Sequence, residues 1–272
     1  MNKKQFGITL SAVVLGAIVS RADIIDTIQA AKSGQTVNVS GTYSVTRQCN
    51  VPDGVTVTGP ATFNFNNAGN GFVPGNNVHL NSLTVSGVNH PGIYIFGKSG
   101  CVINSCIGKG NKDTGIQIQG TGANNNTIQF CQGIQNADSA GGNADGFACK
   151  FSSGTGNVFK NCDAHQNSDD GYDFAAAGAP VTVNNCSAYS NGNWNGKTGN
   201  GCGFKMGLSG YPGEAHHYNS CIAHNNTAGD TGSGFDSNNN TGGCVLTTCH
   251  SYSNKQADRL QNCVLNNCTM QQ

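Results

Sequence analysis

The sequence is poor in charge, in leucine and in long hydrophobic runs. Only 10% of its 272 residues are charged, while 39 are glycine. After residue 22, no stretch approaches the roughly 20 apolar residues that a membrane-spanning helix needs. Abundant Gly, Asn and Thr disfavour helices, because Gly costs backbone entropy and Asn and Thr compete for backbone hydrogen bonds. The low charge and steady supply of Val, Ile, Phe and Cys also argue against disorder. We therefore predict a folded chain of short strands and tight turns.

The apolar run near the N-terminus has the features of a signal peptide. Two lysines precede apolar residues from Ile8 to Val19, and Ser20-Arg21-Ala22 offers small residues for cleavage. We predict a signal peptide over residues 1–22 and a secreted, extracellular domain over residues 23–272. Cleavage removes three of the 14 basic residues and none of the 14 acidic ones. The remaining charge, with acidic residues in excess of basic ones, argues against nucleic-acid binding. We expect a soluble monomer without a membrane partner.

A six-residue unit recurs along the chain and sets its architecture. Clear copies are Cys101-Val-Ile-Asn-Ser-Cys106, Cys244-Val-Leu-Thr-Thr-Cys249 and Cys263-Val-Leu-Asn-Asn-Cys268, and looser copies end at Leu83, Cys131, Cys162, Cys186 and Cys221. Successive unit ends lie 19 to 35 residues apart, which is the length of a solenoid coil with insertions. One coil cannot bury its apolar face alone, so coils must stack. Short strands between Asn and Gly turns make this an all-β parallel β-helix.

Cysteine and asparagine form two further columns in this repeat. The unit-end cysteines predict a stack of small buried side chains, because strands in register lie about 4.8 Å apart and point the same way. That arrangement is awkward for disulfides, although a Cys244–Cys263 pair stays open. No CxxC spacing occurs among the 13 cysteines, which argues against structural zinc. Asn recurs two places before the unit end, and this column predicts a turn whose amides bond from coil to coil, at Asn81, Asn104, Asn184, Asn219 and Asn266.

Helical spacing of apolar residues appears once, over Asp23–Lys32, and predicts a short N-terminal cap helix that covers the first coil. His165 and His224 share a column with Tyr189 and Tyr252. We interpret this column as stacked rings and assign these histidines a structural role.

A second repeated segment follows the unit ends by roughly ten to twenty residues. Its copies are Thr114-Gly-Ile-Gln117, Asp145-Gly-Phe-Ala148, Asp170-Gly-Tyr-Asp173, Cys202-Gly-Phe-Lys205 and Ser233-Gly-Phe-Asp236. The residue after glycine is always large and apolar, so it should face the core and the next residue should face outward. Stacking then places Asp145 beside Asp170, and Asp173 beside Lys205, on neighbouring coils.

Four carboxylates converge on the outer surface in this arrangement: Asp145, Asp169, Asp170 and Asp173. Their repulsion in a groove would be relieved by a cation. Carboxylate oxygens in this number favour Ca²⁺ over Mg²⁺, which keeps more waters, whereas zinc would require His or Cys. The alternative is that each aspartate only caps a turn before glycine. Turn capping does not account for Asp173, which takes an outward strand position.

Lys205 takes an outward strand position beside these acids. A lysine stripped of solvent near a divalent cation has a lowered pKa and can act as a base. The alternative is a surface lysine that pairs with Asp173.

Three motifs carry a family resemblance. They are Asn143-Ala-Asp-Gly-Phe-Ala-Cys-Lys150, Asn167-Ser-Asp-Asp-Gly-Tyr-Asp-Phe174 and Gly201-Cys-Gly-Phe-Lys-Met-Gly207. Over roughly residues 80 to 255, the chain resembles the pectate lyases of polysaccharide lyase family 9. The resemblance implies a calcium-dependent right-handed β-helix that cleaves polygalacturonate in pectin, the acidic polysaccharide of plant cell walls. It implies that Asp145, Asp169, Asp170 and Asp173 bind calcium and that Lys205 abstracts a proton.

A β-elimination follows from that resemblance as a hypothesis. Neutral Lys205 would remove the C5 proton of a galacturonate, and the 4-linked oxygen would leave a 4,5-unsaturated end, so activity should rise at alkaline pH. Lys150, Lys197 and Arg259 are candidates for binding uronate carboxylates. Trp194 and Tyr211, in long insertions, are candidates for flanking sugars.

Two other function classes compete with this interpretation. A β-helical glycoside hydrolase would use paired carboxylates and a water nucleophile, but Lys205 would then have no role. A non-catalytic, carbohydrate-binding β-solenoid would use calcium only to stiffen its coils. Such repeats distribute metal sites over many coils, whereas the acids here concentrate in two, which favours a single site.

Overall fold

The computed structural model describes residues 23–272, so the predicted signal peptide lies outside the described residues. Nearly all regular structure in the described range consists of short parallel strands that stack coil on coil. The prediction of an all-β parallel β-helix is confirmed. None of the helices in residues 23–272 is long and apolar enough to cross a membrane.

Parallel strands form three sides of the stack, which we call the first, second and third sheets; the first two are joined into one 17-stranded sheet, and the third is a separate 8-stranded sheet. The first sheet contains Thr36–Asn38, Val102–Asn104, Thr127–Gln129, Val158–Lys160, Thr182–Asn184, His217–Asn219, Val245–Thr247 and Val264–Asn266. The second contains Gly41–Ser44, Ile107–Lys109, Gln132–Ile134, Asp163–His165, Ser187–Tyr189, Ile222–His224 and His250–Tyr252. The third contains Cys49–Val51, Phe72–Pro74, Ile93–Phe96, Ile116–Gln119, Phe147–Lys150, Tyr172–Asp173, Phe204–Lys205 and Phe235–Asp236. The long strands Thr56–Asn64 and His79–Ser86 contribute to both the first and second sheets.

The six-residue unit supplies the first sheet and the corner that follows it. Its third residue is buried and in register with the same position of the next coil, as Ile103 is with Ile128 and Ile128 with Phe159. The residue before the unit end has a positive φ, 54° at Ser105 and 53° at Asn161. This left-handed residue turns the chain from the first sheet into the second.

The cysteine stack has the predicted form. All 13 cysteines lie in the described range and are free thiols. Cys244 and Cys263 therefore form no disulfide in this structure. The Cys106 amide donates to Cys131 Sγ at 3.4 Å, and the Cys131 amide donates to Cys162 Sγ at 3.5 Å. The thiols therefore pack as small side chains that also accept backbone hydrogen bonds.

The asparagine column is not where the sequence analysis placed it. The predicted column lies on strands of the first sheet rather than in a turn, although Asn219 Nδ2 does donate to Asn184 Oδ1 at 2.8 Å. The buried ladder stands five residues after the unit-end cysteines, at Asn111, Asn136, Asn167, Asn191, Asn226 and Asn254. Asn167 is typical, since its Nδ2 donates to Asn191 Oδ1 and to the Gly133 carbonyl, each at 3.0 Å. From Asn136 to Asn254 the buried amides satisfy one another, because one oxygen and one NH₂ group repeat at every coil, whereas Asn111 Nδ2 has no hydrogen-bond partner.

The cap helix and the ring column agree with the predictions. The helix spans Asp23–Ala30 and ends two residues earlier than predicted, with Ile25 and Ile28 buried in the core. The rings of His165, Tyr189, His224 and Tyr252 stack in that order, with successive centroids 4.6, 5.1 and 5.2 Å apart.

Inward-facing aromatic rings fix the orientation of the third sheet. Phe147, Tyr172, Phe204 and Phe235 are fully buried, and successive ring centroids lie 5.0, 4.7 and 4.8 Å apart. Because side chains alternate along a strand, the residue after each ring points away from the core. This stack therefore positions the outward residues on which the candidate site is built.

Candidate metal and catalytic site

The third sheet brings the predicted site residues into register. Ala148 pairs with Asp173, Asp173 with Lys205, and Lys205 with Asp236. Asp145 and Asp170 are neighbours on adjacent coils, since the Asp170 amide donates to Asp145 Oδ1 at 3.2 Å. The predicted juxtaposition of these residues is confirmed.

Three of the four predicted ligands form a compact acidic trio. Asp145, Asp169 and Asp170 each offer a carboxylate oxygen, and these oxygens lie within 4.8 Å of one another. Backbone amides orient two of the carboxylates: the Asn200 amide donates to Asp169 Oδ1 at 2.6 Å, and the Cys202 amide donates to Asp170 Oδ1 at 2.7 Å. All three side chains are buried.

Asp173 stands outside this trio and contacts two lysines. Its Oδ2 lies 2.9 Å from Lys150 Nζ and 3.8 Å from Lys205 Nζ. Its Oδ1 accepts a hydrogen bond of 3.0 Å from the Ala175 amide. Asp173 is therefore placed to join the trio in binding a cation only if the lysine contacts rearrange.

Both lysines reach into the acidic cluster. Lys150 Nζ lies 2.7 Å from Asp145 Oδ2, and Lys205 Nζ lies 3.1 Å from Asp170 Oδ2. Lys205 also donates to Asn200 Oδ1 at 3.0 Å. The sequence analysis predicted Lys205 beside the acids but proposed Lys150 only as a substrate contact, and the structure places Lys150 among the acids themselves.

Burial controls the protonation of the trio. It raises the pKa of Asp145 to about 7, although Lys150 opposes the shift. Burial, together with the charges of Asp170 and Asp145, raises the pKa of Asp169 to about 9. Burial also raises the pKa of Asp170 against the opposing charge of Lys205. The trio therefore holds protons when no cation is bound, and a cation that binds there displaces them.

Charge pairing outweighs burial at the other three groups. Burial would raise the pKa of Asp173, but Lys150 and Lys205 hold it below its usual value. Burial would lower the pKa of Lys150 and of Lys205. The carboxylates of Asp145 and Asp173 raise the Lys150 pKa above its usual value, and those of Asp170 and Asp173 do the same for Lys205.

The acids are more enclosed than the sequence analysis expected. It placed them on the outer surface, yet Asp145 and Asp170 have no exposed area and Lys205 exposes only 13% of its side chain. The segment 199–202 lies against two of them, since the Asn200 and Cys202 amides donate to Asp169 and Asp170. An added Cβ at Gly199 would lie 2.5 Å from Asp169 Oδ1, so glycine permits this close approach. The alternation of side chains along a strand predicts which way each side chain points, but it does not predict the path of an inserted loop.

The other predicted contact residues lie on three separate segments. Lys197 is exposed and pairs with Trp194 in a hairpin formed by Asn193–Trp194 and Lys197–Thr198. Arg259 forms an ion pair with Asp236. Asp236 pairs with Lys205 on one side and with Arg259 on the other, so Arg259 lies two coils from Lys205 in the same column. Tyr211 is exposed in a separate insertion. The structure therefore gathers Lys150 into the site, aligns Arg259 with the column of Lys205 and leaves Lys197 on the hairpin.

Two site residues were missed by the sequence analysis. Thr114 Oγ1 donates to Asp145 Oδ2 at 3.3 Å, and Asn200 contacts both Asp169 and Lys205. Thr114 occupies the same place in the repeated segment as Asp145 and Asp170, so the repeat contained the signal for it. Asn200 lies in an insertion, where no repeat marks it.

The donor chemistry fits a hard divalent cation. The trio offers only carboxylate oxygens, Asp173 adds a fourth carboxylate nearby, and these are ligands typical of Ca²⁺.

One known protein family matches nearly the whole of this chain. A family model described as "Pel9A-like, right handed beta helix region" matches residues 14–267. The chain belongs to the Pel9A-like right-handed β-helix family. This confirms the resemblance drawn from the motifs, and the family description supplies the right-handed sense of the coil.

Several known proteins are similar to this chain. Pectate lyase L from Thermoclostridium stercorarium is 39% identical over 171 residues, covering 57% of this chain and 13% of that protein. Pectate lyase L from Dickeya dadantii strain 3937 is 33% identical over 189 residues, covering 67% of this chain and 43% of that protein. The crystal structure of pectate lyase Pel9A superposes with a TM-score of 0.75 at 27% identity, covering 85% of this chain and 64% of that one. The chain thus spans less than half the length of these two curated relatives.

Proposed function

We propose that this chain is a secreted pectate lyase that cleaves polygalacturonate by β-elimination, with Lys205 as the base. The observation that carries the proposal is the pairing of Lys205 with Asp173 on the outward face of the third sheet, beside three buried carboxylates. Similarity to two pectate lyases supports the same reaction. A glycoside hydrolase would need two carboxylates as acid and base and would leave Lys205 unused.

Asp145, Asp169 and Asp170 would hold the calcium ion, and Asp173 would complete the set. Calcium bound there would offset their charge and, through the substrate's C6 carboxylate, would acidify the C5 proton. Lys150 would then lose its contacts with Asp145 and Asp173 and become available to the carboxylate of a uronate.

Lys205 must be neutral to accept the C5 proton. In the described structure the adjacent carboxylates hold its pKa above the usual value, despite burial. Neutral Lys205 therefore requires that the carboxylate charge be offset, which ties base catalysis to an occupied metal site. The Asn200 side chain, 3.0 Å from Lys205 Nζ, would orient the amine.

The elimination balances with the groups present and water. Lys205 takes the C5 proton, the electron pair of that bond forms the C4–C5 double bond, and the C4–O bond breaks. The departing oxygen takes a proton from water. Arg259, which lies two coils from Lys205 along the same column, would bind a neighbouring uronate carboxylate.

The decisive experiment is product analysis. Purified protein is incubated with polygalacturonate at alkaline pH, with added calcium or with a chelator, and unsaturated uronate is followed by its ultraviolet absorbance. The proposal predicts unsaturated ends with calcium and none with chelator. Reducing ends without unsaturation would indicate hydrolysis. Calcium binding without any cleavage would favour the carbohydrate-binding β-solenoid.

A further inference from the structure

The outward face of the third sheet continues past the acidic cluster toward the N-terminal coils. Tyr94 pairs with Gln117, and Gln117 pairs with Ala148, which in turn pairs with Asp173. The column of Lys205 therefore includes Tyr94. With about 4.8 Å between coils, four steps separate Tyr94 from Lys205, a distance of about 19 Å.

The half-buried Tyr94 and the exposed Phe96 form an aromatic pair on this face. Their ring centroids are 5.5 Å apart with an interplanar angle of 28°, and Phe96 is 53% exposed. Phe96 also packs over Gly120, because an added Cβ at that glycine would lie 3.0 Å from Phe96 Cε2. The two rings are thus held in place by each other and by the backbone at Gly120, although neither contributes to the core.

Polar side chains lie between the aromatic pair and the acids. Gln117 and Gln119 pair with Tyr94 and Phe96 on the next coil, and Gln117 Nε2 donates to Gln119 Oε1 at 2.5 Å. Lys150 follows Gln119 in the same column. Aromatic faces beside a few fixed amide groups are the composition of a small-ligand site.

We propose that Tyr94 and Phe96 form a remote subsite that stacks against a sugar ring of the acidic polysaccharide bound at Lys205. The inference rests on the proposed function, because it extends the same substrate along the same sheet. The pair is too small for a protein partner: two aromatic side chains bury about 150–250 Å² each, whereas a stable protein interface needs about 800 Å² per partner. A saccharide chain that follows the sheet from Lys205 meets the two rings without leaving the face.

This placement makes the subsite dependent on chain length. A short oligogalacturonate that occupies the acidic cluster does not reach a platform about 19 Å away, whereas a long one does. Removal of the rings should therefore weaken binding of long chains alone.

The test uses binding in a background that does not cleave. Lys205→Ala protein, in the presence of calcium, is titrated calorimetrically with a galacturonate trimer and with a decamer. Tyr94→Ala/Phe96→Ala is added to this background, and Phe130→Ser is the matched control. Phe130 is 56% exposed at a corner whose equivalents in other coils are Ser82, Ser105 and Ser220.

We expect the double substitution to weaken decamer binding about tenfold, with trimer binding unchanged and Phe130→Ser without effect on either. Equal decamer affinity in the double variant would overturn the subsite. An equal loss for both lengths would also overturn it, since that result indicates a general disturbance. If the rings strengthen binding of the decamer but not of the trimer, and wild-type protein forms no unsaturated product, the subsite is supported and the proposed lyase function is contradicted.

Discussion

The Asp173 carboxylate and the Lys205 ammonium occupy paired positions on neighbouring coils, with 3.8 Å between Asp173 Oδ2 and Lys205 Nζ. Strand pairing, rather than a loop, sets this separation. Sites built on regular strands hold their geometry more tightly than sites built on loops. The proposed base and one of its neighbouring acids are thereby kept at a defined spacing.

Lys150 should compete with calcium. Its ammonium lies 2.7 Å from Asp145 Oδ2 and 2.9 Å from Asp173 Oδ2, where it offsets the charge that a cation would otherwise offset. Lys150→Met should therefore bind calcium at least about tenfold more tightly. The same variant should unfold at a lower temperature in chelator, because it leaves buried acids unpaired. Calorimetric titration and thermal unfolding measure the two effects.

Lys160→Met is the control for that experiment, since Lys160 lies on the first sheet, away from the acids. Unchanged or weaker calcium binding by Lys150→Met would show that Lys150 supports the ligands rather than competing for them.

Calcium-free protein should lose stability as pH rises. Burial raises the pKa of Asp169 from its usual 3.8 to about 9, so between those values the folded state holds a proton that the unfolded state releases. Folding stability then falls with increasing pH across that window. Asp169→Asn should flatten the decline. Thermal unfolding in chelator at a series of pH values tests this, and a wild-type melting temperature that rises from acidic to mildly alkaline pH would contradict it.

The buried asparagine ladder should matter more to stability than the column on the first sheet. Asn167→Ala removes donors to Asn191 and Gly133 and the acceptor used by Asn136, which should cost about 3 kcal/mol. Asn184→Ala, on a partly buried strand, should cost under about 1 kcal/mol. Denaturant unfolding of both variants compares them, and equal losses would show that the ladder has no special role.

Much of this molecule was readable from its sequence because the coil repeats. The glycine–aromatic segment predicted the register of Asp173 with Lys205, since a large apolar residue fixes which side of a strand faces the core. The same repeat contains the buried asparagine five residues after the unit-end cysteines, but a second asparagine column, two places before the unit end, has the same period and was predicted instead.

The insertions account for what the sequence did not predict. Gly199 and Asn200 enclose the acids from a segment that has no counterpart in other coils. Lys150 reaches the centre because a long side chain can span from one coil to the next, which a strand pattern does not specify. The repeat in the sequence predicts the backbone positions of the site residues. Their burial and charge pairing depend on contacts between coils, which the repeat does not specify.

The most direct test of the central claim is the initial rate of unsaturated uronate formation by Lys205→Arg, compared with wild type and with Lys160→Arg, in calcium at alkaline pH. Arginine keeps the positive charge and the contacts with Asp170 and Asp173, but it does not lose its proton. The account predicts that Lys205→Arg loses at least about 100-fold in rate while it folds and binds calcium, and that Lys160→Arg matches wild type. If Lys205→Arg forms unsaturated uronate at a rate near that of wild type, another group removes the C5 proton.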